Sequence, residues 1–123
     1  MISIISRSEE ETRRLGKDMA KMLKGGEKLA LSGNLGSGKT TFVKGLAKAL
    51  GVRQAITSPT FVLFRPYPIA EKTFYHFDLC RLKHKNELEE LGFGEILGNK
   101  KNIIAIEWPE KARALLPKRT IFV

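Results

Sequence analysis

The fold of this chain is decided by one stretch of sequence, Gly33-Asn34-Leu35-Gly36-Ser37-Gly38-Lys39-Thr40. The stretch matches the pattern G-x-x-x-x-G-K-S/T. A short apolar run, residues 28–32, precedes it, and a run with helical spacing follows it. Glycines let the backbone approach an anion closely, and the freed N–H groups then point inward toward phosphate oxygens. The sequence therefore predicts a phosphate-binding loop between a strand and a helix.

The residues that close this loop indicate its ligand. Lys39 supplies a point charge for β- and γ-phosphates, and the hydroxyl of Thr40 suits a Mg²⁺ ion. Thr41 is a candidate contact on the α-phosphate side, and the helix that starts near Lys39 adds the positive end of its dipole. We therefore expect the chain to bind ATP with Mg²⁺. The predicted loop ligands are Gly33, Asn34, Leu35, Gly36, Ser37, Gly38, Lys39, Thr40 and Thr41.

Helical and strand patterns alternate along the rest of the chain. A capping box at residues 8–11 opens a helix whose apolar positions are Leu15, Met19, Met22 and Leu23. Strands are expected at 73–78, 102–107 and from 119 onward. A helical stretch is expected at 87–91 and is broken by Gly92 and Gly94, and residues 52–72 are expected to form a proline-containing loop with at most short edge strands. This alternation predicts one α/β domain over residues 1–123. We expect a P-loop NTPase-like three-layer sandwich with a mainly parallel central sheet, flanking helices and antiparallel edge strands.

Composition limits the class of protein. The chain has 123 residues, a single cysteine and a net charge of +9. The lone Cys80 excludes an intramolecular disulfide and favours a reducing, cytoplasmic compartment, and we expect its side chain to be a buried apolar filler. No run is apolar and long enough for a membrane span. The positive charge fits either a solvated surface with phosphate-facing groups or a partner that is acidic or bound to nucleic acid.

Two acidic residues are candidates for completing a hydrolytic site, because hydrolysis needs an acid at a strand end to hold Mg²⁺ or to orient water. Glu107 follows the strand-like run at 103–106, and Asp78 follows the one at 73–77. We assign Glu107 to Mg²⁺ or to water activation, and Asp78 to a Mg²⁺-bound water or to the attacking water, with roles that can be exchanged. The alternatives are a solvent-exposed strand-end glutamate and, for Asp78, a helix N-cap.

Three further features carry two readings each. The hydroxyls of Ser58 and Thr60 in Thr57-Ser58-Pro59-Thr60 either sense the γ-phosphate as a switch does or cap an ordinary turn. His76 shares a strand face with Asp78 and is more typical of a packed, hydrogen-bonded histidine than of a catalyst. Trp108 either stacks on a base or a partner, or belongs to the edge of the core.

Four motifs in sequence order together resemble the TsaE (YjeE) family of bacterial ATPases. They are the run at 33–46, then Ser58-Pro59-Thr60-Phe61, His76-Phe77-Asp78-Leu79-Cys80-Arg81 and Glu107-Trp108-Pro109. The runs at 87–92 and 115–117 are also similar, so the likeness spans nearly the whole chain. The resemblance implies an ATPase of tRNA threonylcarbamoyladenosine (t6A37) biosynthesis that acts on a TsaB–TsaD heterodimer, meets tRNA through that complex and is weak alone.

By residue, the resemblance implies that Thr40 and Glu107 are magnesium ligands, that Asp78 is a second essential acid, and that Glu9 and Thr12 lie near the adenine. The sequence departs from the family pattern in three places. Asn34 stands where an acid is frequent, Cys80 replaces a tyrosine, and the chain stops at Val123 where relatives often continue. We expect either a short member or a truncated one, with altered base affinity and partner docking.

Two other functions fit a phosphate loop. One is a small P-loop kinase that phosphorylates a metabolite, which would need an arginine-bearing lid, and residues 52–72 offer only Arg53 and Arg65. The other is a binding module that depends on nucleotide but does not hydrolyse it.

Overall fold

The structure of the chain, a computed structural model, describes residues 8–31, 38–56, 63–117 and 120–122, without the side chains of Glu9, Ile121 and Phe122. Several residues singled out above lie outside this part of the chain, namely Gly33, Asn34, Leu35, Gly36, Ser37, Ser58 and Thr60. The roles assigned to them stay predictions.

The described residues form a five-stranded sheet in the spatial order β2-β3-β4-β1-β5. Strands β3, β4, β1 and β5 are parallel, and β2 pairs with β3 in the antiparallel sense. The strands are β1 Lys28–Leu31, β2 Phe64–Ile69, β3 Lys72–Asp78, β4 Asn102–Glu107 and β5 Ile121–Phe122. This arrangement confirms the predicted mainly parallel sheet with an antiparallel edge strand.

Helices cover both faces of this sheet, as the sandwich prediction requires. They are α1 Glu9–Ala20, α2 Lys39–Leu50, α3 Asn86–Glu90 and α4 Phe93–Gly98, with a 3₁₀ segment at Pro109–Leu115. One core cluster joins α1 and α2 to Leu29, Leu31, Phe74 and Ile103. The other joins α3 and α4 to Phe77, Ile104 and Ile106. Neighbouring residues of a strand point to opposite faces, so this division also assigns the site residues to a face.

Close contact between α1 and α2 depends on two glycines. A Cβ atom added at Gly16 would lie 2.4 Å from the carbonyl oxygen of Phe42, and one added at Gly45 would lie 2.4 Å from that of Arg13. Only glycine therefore allows the two backbones to approach this closely. The contact brings the start of α1 beside the start of α2.

Three details differ from the sequence predictions. Met22 lies beyond the end of α1 and is 67% exposed, so its place on the apolar face was wrong. Gly94 does not break the helical region, because it lies inside α4, and Gly92 is the residue that separates the two helices, with a φ of 79°. Residues 64–69, within the predicted loop, form the six-residue strand β2, where Pro66 and Pro68 are exposed. An edge strand tolerates proline because one side of it needs no ladder hydrogen bonds.

Candidate functional site

Three parallel strands end at the same level of the sheet. Leu31, the last residue of β1, is in register with Glu107, and Glu107 is in register with Asp78 on its other side. The predicted phosphate loop starts two residues after Leu31, at Gly33. Ligands of open α/β sheets bind outside the carboxyl ends of the strands. The register therefore brings both candidate acids to the edge where the loop begins.

Both acids also point to the face that α2 covers. Ile103 and Ala105 of β4 pack in the cluster that contains α2, and Glu107 continues their alternation. Phe74 of β3 packs in the same cluster, and Asp78 continues its alternation in turn. Glu107 is buried, with 4% of its surface exposed, whereas Asp78 is only partly buried. A solvent-exposed glutamate at the strand end, the alternative reading of Glu107, is therefore wrong.

Within the described residues, the start of α2 has no side-chain cap and no acidic residue. Its N-cap residue Gly38 has a left-handed backbone with a φ of 93°, makes no side-chain capping bond, and is followed by no acidic residue in the first turn. The first N–H groups of a helix lack partners within the helix and carry the positive end of its dipole. This helix start therefore has the properties expected of a phosphate site. Thr40 and Thr41, both partly buried, lie in its first turn.

Lys39 is held in the interior rather than extended into solvent. It is 8% exposed, and its Nζ lies 4.0 Å from the centroid of the Trp108 ring. A cation over an indole face is attracted by the ring quadrupole, most strongly where water is excluded. Trp108 itself packs against the second core cluster and has a φ of 61°, which is unusual for a bulky residue. It therefore lies at the core edge, as one of the two readings proposed, while its binding to a base stays a prediction.

Glu107 is paired with a histidine that the sequence analysis did not connect to it. The Nε2 atom of His76 lies 2.6 Å from Oε2 of Glu107, and His76 is fully buried. The two side chains are diagonal neighbours on adjacent strands, since His76 is in register with Ala105. The expectation of a packed, hydrogen-bonded histidine is thus confirmed. Because 31 positions separate the pair, only the strand register reveals it.

Asp78 closes a turn rather than a helix. Its Oδ1 accepts a hydrogen bond of 3.1 Å from the backbone N–H of Cys80, and the next helix, α3, begins only at Asn86. Cys80 is exposed, so the expectation of a buried apolar cysteine was wrong. Partial burial and the negative charge of Asp78 raise the pKa of the Cys80 thiol above its ordinary value. The thiol therefore reports on the charge of Asp78.

The start of α1 lies against the end of the predicted loop. A Cβ atom added at Gly38 would lie 3.5 Å from Cγ2 and 3.6 Å from Oγ1 of Thr12. The Thr12 hydroxyl donates to the carbonyl of Ser8 at 2.9 Å, and Ser8 caps α1 by accepting from the Glu11 N–H at 3.0 Å. Thr12 therefore lies beside Gly38, and its place near the adenine stays a prediction. The side chain of Glu9 lies outside the described part of the chain.

The donor set at this edge suits Mg²⁺ with a phosphate ligand better than a metal held by protein alone. Within the described ranges, no group of three or more His, Cys, Asp or Glu residues is placed to hold a metal ion. Mg²⁺ is usually bound by one or two carboxylates, by waters and by phosphates of the substrate. Glu107, Asp78 and the Thr40 hydroxyl fit that pattern.

Positive charge outside the site gathers in part along the outer side of α1 and α2. Arg13, Arg14, Lys17 and Lys48 line a groove there together with Glu10. The groove is solvent-exposed and its ion pair, Arg14–Glu10, is 3.8 Å long and open to water. Both readings of the net charge therefore stay open. None of the helices that the structure describes is long and apolar enough to cross a membrane.

The fold and this edge are those of a P-loop protein, in which a strand is followed in sequence by the predicted loop and then by a helix whose first residue is the loop lysine. The chain belongs to the TsaE family. The family model described as "Threonylcarbamoyl adenosine biosynthesis protein TsaE" matches residues 6–123. The resemblance drawn from the four motifs is thereby confirmed.

Several relatives and one solved structure support this membership. The chain is 46% identical to the TsaE protein of Rickettsia conorii over 89% of this chain and 62% of that protein. It is 41% identical to that of Borreliella burgdorferi, over 94% of this chain and 84% of the other. The crystal structure of Bacillus subtilis YdiB superposes with a TM-score of 0.69 at 31% identity, covering 95% of this chain and 70% of YdiB. The chain spans 62% and 66% of the length of its relatives from Rickettsia conorii and Rickettsia felis.

Proposed function

We propose that this chain is an ATP-binding and ATP-hydrolysing subunit of the machinery that makes threonylcarbamoyladenosine in tRNA. It acts on a TsaB–TsaD heterodimer and meets tRNA only through that complex. One observation carries the hydrolytic part. Glu107 and Asp78 are in register with each other at the strand ends, on the face that α2 covers, and Glu107 is also in register with Leu31, two residues before the predicted loop. The place in tRNA modification is proposed from membership of the family, whose relatives are named for threonylcarbamoyladenosine biosynthesis.

Each site residue has a separate task in this proposal. Lys39 moves from the face of Trp108 to the β- and γ-phosphates, where its charge offsets theirs. Thr40 and Glu107 would hold Mg²⁺, which would supply positive charge to the transferred phosphoryl group. Asp78, partly exposed, orients a Mg²⁺-bound or attacking water. A bond forms between the γ-phosphorus and the oxygen of water, the bond to the bridging oxygen breaks, and the products are ADP, inorganic phosphate and the proton released by water.

An acceptor other than water is less well supported by the fold. A metabolite kinase normally closes a lid over its acceptor. Between α2 and β3 the described residues 52–56 and 63–71 contain the strand β2 and no helix. Strand β2 pairs with all but the last residue of β3, from Phe64 opposite Phe77 to Ile69 opposite Lys72. A strand tied into the sheet is poorly suited to act as a moving lid.

The fate of the γ-phosphate tests this function. ATP labelled at the γ-position is incubated with the chain alone, with TsaB–TsaD of the same organism alone, and with both together. We expect slow release of free phosphate by the chain alone and much faster release with both. Glu107→Gln should remove the increase, while Glu110→Gln, which changes an exposed glutamate just beyond the strand, should keep it.

Two results would contradict the proposal. Label that appears on an acceptor instead of as free phosphate identifies a kinase. Unchanged phosphate release in Glu107→Gln, with ATP-dependent capture of TsaB–TsaD retained, identifies a binding module in which this edge does not hydrolyse ATP.

A further inference from the structure

His76, which contacts Glu107, is not among the residues that the proposed function assigns to phosphate, cation or water. His76 is fully buried and Glu107 is 4% exposed, so neither belongs to the solvated surface. Their atoms Nε2 and Oε2 are 2.6 Å apart, which is short for a hydrogen bond between nitrogen and oxygen. A carboxylate can only accept hydrogen bonds, so an ionised Glu107 requires the ring proton on Nε2.

The other ring nitrogen shows that packing alone does not account for this histidine. Nδ1 of His76 is buried and makes no hydrogen bond to any residue that the structure describes. A buried polar atom without a partner is costly, and a leucine of similar size would avoid that cost. The residue is thus poorly suited to a purely apolar core, and among the residues that the structure describes its polar contact is Glu107.

The position of His76 in the sheet fits a supporting role. It lies on β3 two residues before Asp78, on the same face, and is in register with Ala105, two residues before Glu107. The imidazole therefore contacts the Glu107 carboxylate from the neighbouring strand, at a position two residues farther from the carboxyl ends of the strands. Hydrogen-bond partners behind a ligand fix its orientation, and their loss usually lowers metal affinity or activity 10- to 100-fold.

We propose that His76 is a positioning residue for Glu107. Its Nε2–H holds Oε2, which sets the carboxylate so that Oε1 serves the cation or the water. This inference rests on the proposed hydrolytic function for its consequence, but the tautomer and the contact are properties of the free chain. His76 touches neither nucleotide nor cation in this scheme.

Nitrogen NMR of the ring tests the contact without nucleotide. The chain has two histidines, and His84 is exposed, which makes it an internal reference. At neutral pH we expect one slowly exchanging imidazole N–H, assigned to Nε2 of His76, and none from His84. In Glu107→Ala this signal should move or exchange rapidly. A proton on Nδ1 with a bare Nε2 would overturn the proposal, whether or not the chain hydrolyses ATP.

Two variants test the consequence. His76→Gln keeps an N–H donor near the position of Nε2, whereas His76→Leu keeps the volume and removes the donor. We expect His76→Leu to lower kcat about 10- to 100-fold with KM for ATP changed less than about twofold, because Lys39 is untouched. His76→Gln should recover most of kcat. Equal loss in both variants, or a loss confined to KM, would contradict positioning.

The NMR and kinetic experiments distinguish failure of the proposed function from failure of the inference about His76. If the unmodified chain with TsaB–TsaD releases no phosphate, the proposed function fails, while the NMR signal still decides the contact. If His76→Leu does not fold, the comparison of His76→Gln with the unmodified chain and the NMR measurement still decide the proposal.

Discussion

Glu27 lies where the parallel strands begin, which we call the amino edge of the sheet, and Glu107 lies where they end, at the carboxyl edge. The two carboxylates have different partners. Glu27 precedes β1 and accepts bonds from the backbone N–H groups of Lys24, at 3.1 and 3.0 Å, and of Gly25, at 2.7 Å. Glu107 ends β4, is buried, and is held by His76. At the amino edge, the carboxylate of Glu27 stabilises a turn of the backbone. The carboxyl edge buries its carboxylate beside another side chain, which is the costlier arrangement and the one expected of a functional group.

Two lysines show the same contrast. Lys72, at the amino edge, donates to the carbonyl of Lys24 and is partly exposed. Lys39, at the carboxyl edge, is buried against the ring of Trp108. Like the glutamates, one lysine serves the turn and the other is held in the interior beside the predicted phosphate loop. Comparing a variant at the carboxyl edge with a similar variant at the amino edge therefore distinguishes an effect on the proposed site from a general effect on the fold.

The largest effect is expected at Lys39. Lys39→Ala removes the charge assigned to the β- and γ-phosphates and should weaken ATP binding roughly 10- to 100-fold or abolish it, since a charge-assisted hydrogen bond contributes about 1.5–3 kcal/mol. Calorimetric titration with Mg²⁺·ATP measures it. Lys72→Ala, the control at the other edge, should bind ATP as the unmodified chain does. Unchanged affinity in Lys39→Ala would contradict the assigned role.

The second largest effect is expected on ATP turnover, and it is measured together with stability in variants of Glu107 and Glu27. Glu107→Gln should lower ATP turnover roughly 100-fold or more, the usual size of a lost acid–base or water-orienting group. Its free energy of unfolding should stay the same or rise, since a buried charge is removed. Glu27→Gln should keep turnover and lose about 1 kcal/mol of stability, a hydrogen-bond contribution discounted for solvent exposure. Urea unfolding and phosphate release of both variants decide this, and a Glu27→Gln that loses turnover would break the comparison.

The stability contributed by Glu27 should depend on pH. Partial burial by itself raises the pKa of Glu27, but the hydrogen bonds from Lys24 and Gly25 and the charge of Lys72 outweigh it and lower the pKa below 4.5. A folded-state pKa below the unfolded one means that the stabilisation is present above pH 4.5 and is lost as pH falls through the folded value. The stability difference between the unmodified chain and Glu27→Gln should therefore shrink on acidification below that pH. A constant difference would show that its carboxylate is not the cause.

The smallest effect concerns Asp78 and the thiol of Cys80. Asp78→Asn removes the charge that raises the pKa of Cys80, so more thiolate forms at pH 7.5. Alkylation should accelerate about two- to fivefold, the size of an exposed charge interaction. The single cysteine makes the rate of reaction with iodoacetamide a direct readout. A slower reaction, or the same increase in Glu110→Gln, would show that Asp78 does not carry this charge effect.

Much of the fold could be predicted because its signals are local. The glycine-rich stretch with a lysine and a threonine predicts the loop, and the strand predicted at 102–107 around the apolar run has the same bounds as β4. The predictions of secondary structure were wrong at residues whose type is compatible with more than one local structure. Gly94 reads as a helix breaker but lies inside α4, and Pro66 and Pro68 read as loop residues but lie on an edge strand. Their context is set by neighbours distant in sequence.

The site was predictable as a list of groups but not as an arrangement. Spacing alone identified Glu107 and Asp78 as strand-end acids. That they are in register with each other, and that His76 holds Glu107, depends on the pairing of β3 with β4. The contact of Lys39 with Trp108 likewise joins residues that are 69 positions apart in the sequence. Such contacts exist only once the strand order is known.

The Mg²⁺ dependence of ATP binding decides whether Glu107 serves the cation that accompanies ATP. ATP is titrated by calorimetry into the unmodified chain and into Glu107→Gln, with Mg²⁺ and with EDTA. We expect Mg²⁺ to tighten ATP binding in the unmodified chain, to tighten it far less in Glu107→Gln, and the two to agree in EDTA. The same Mg²⁺ dependence in both would contradict the claim.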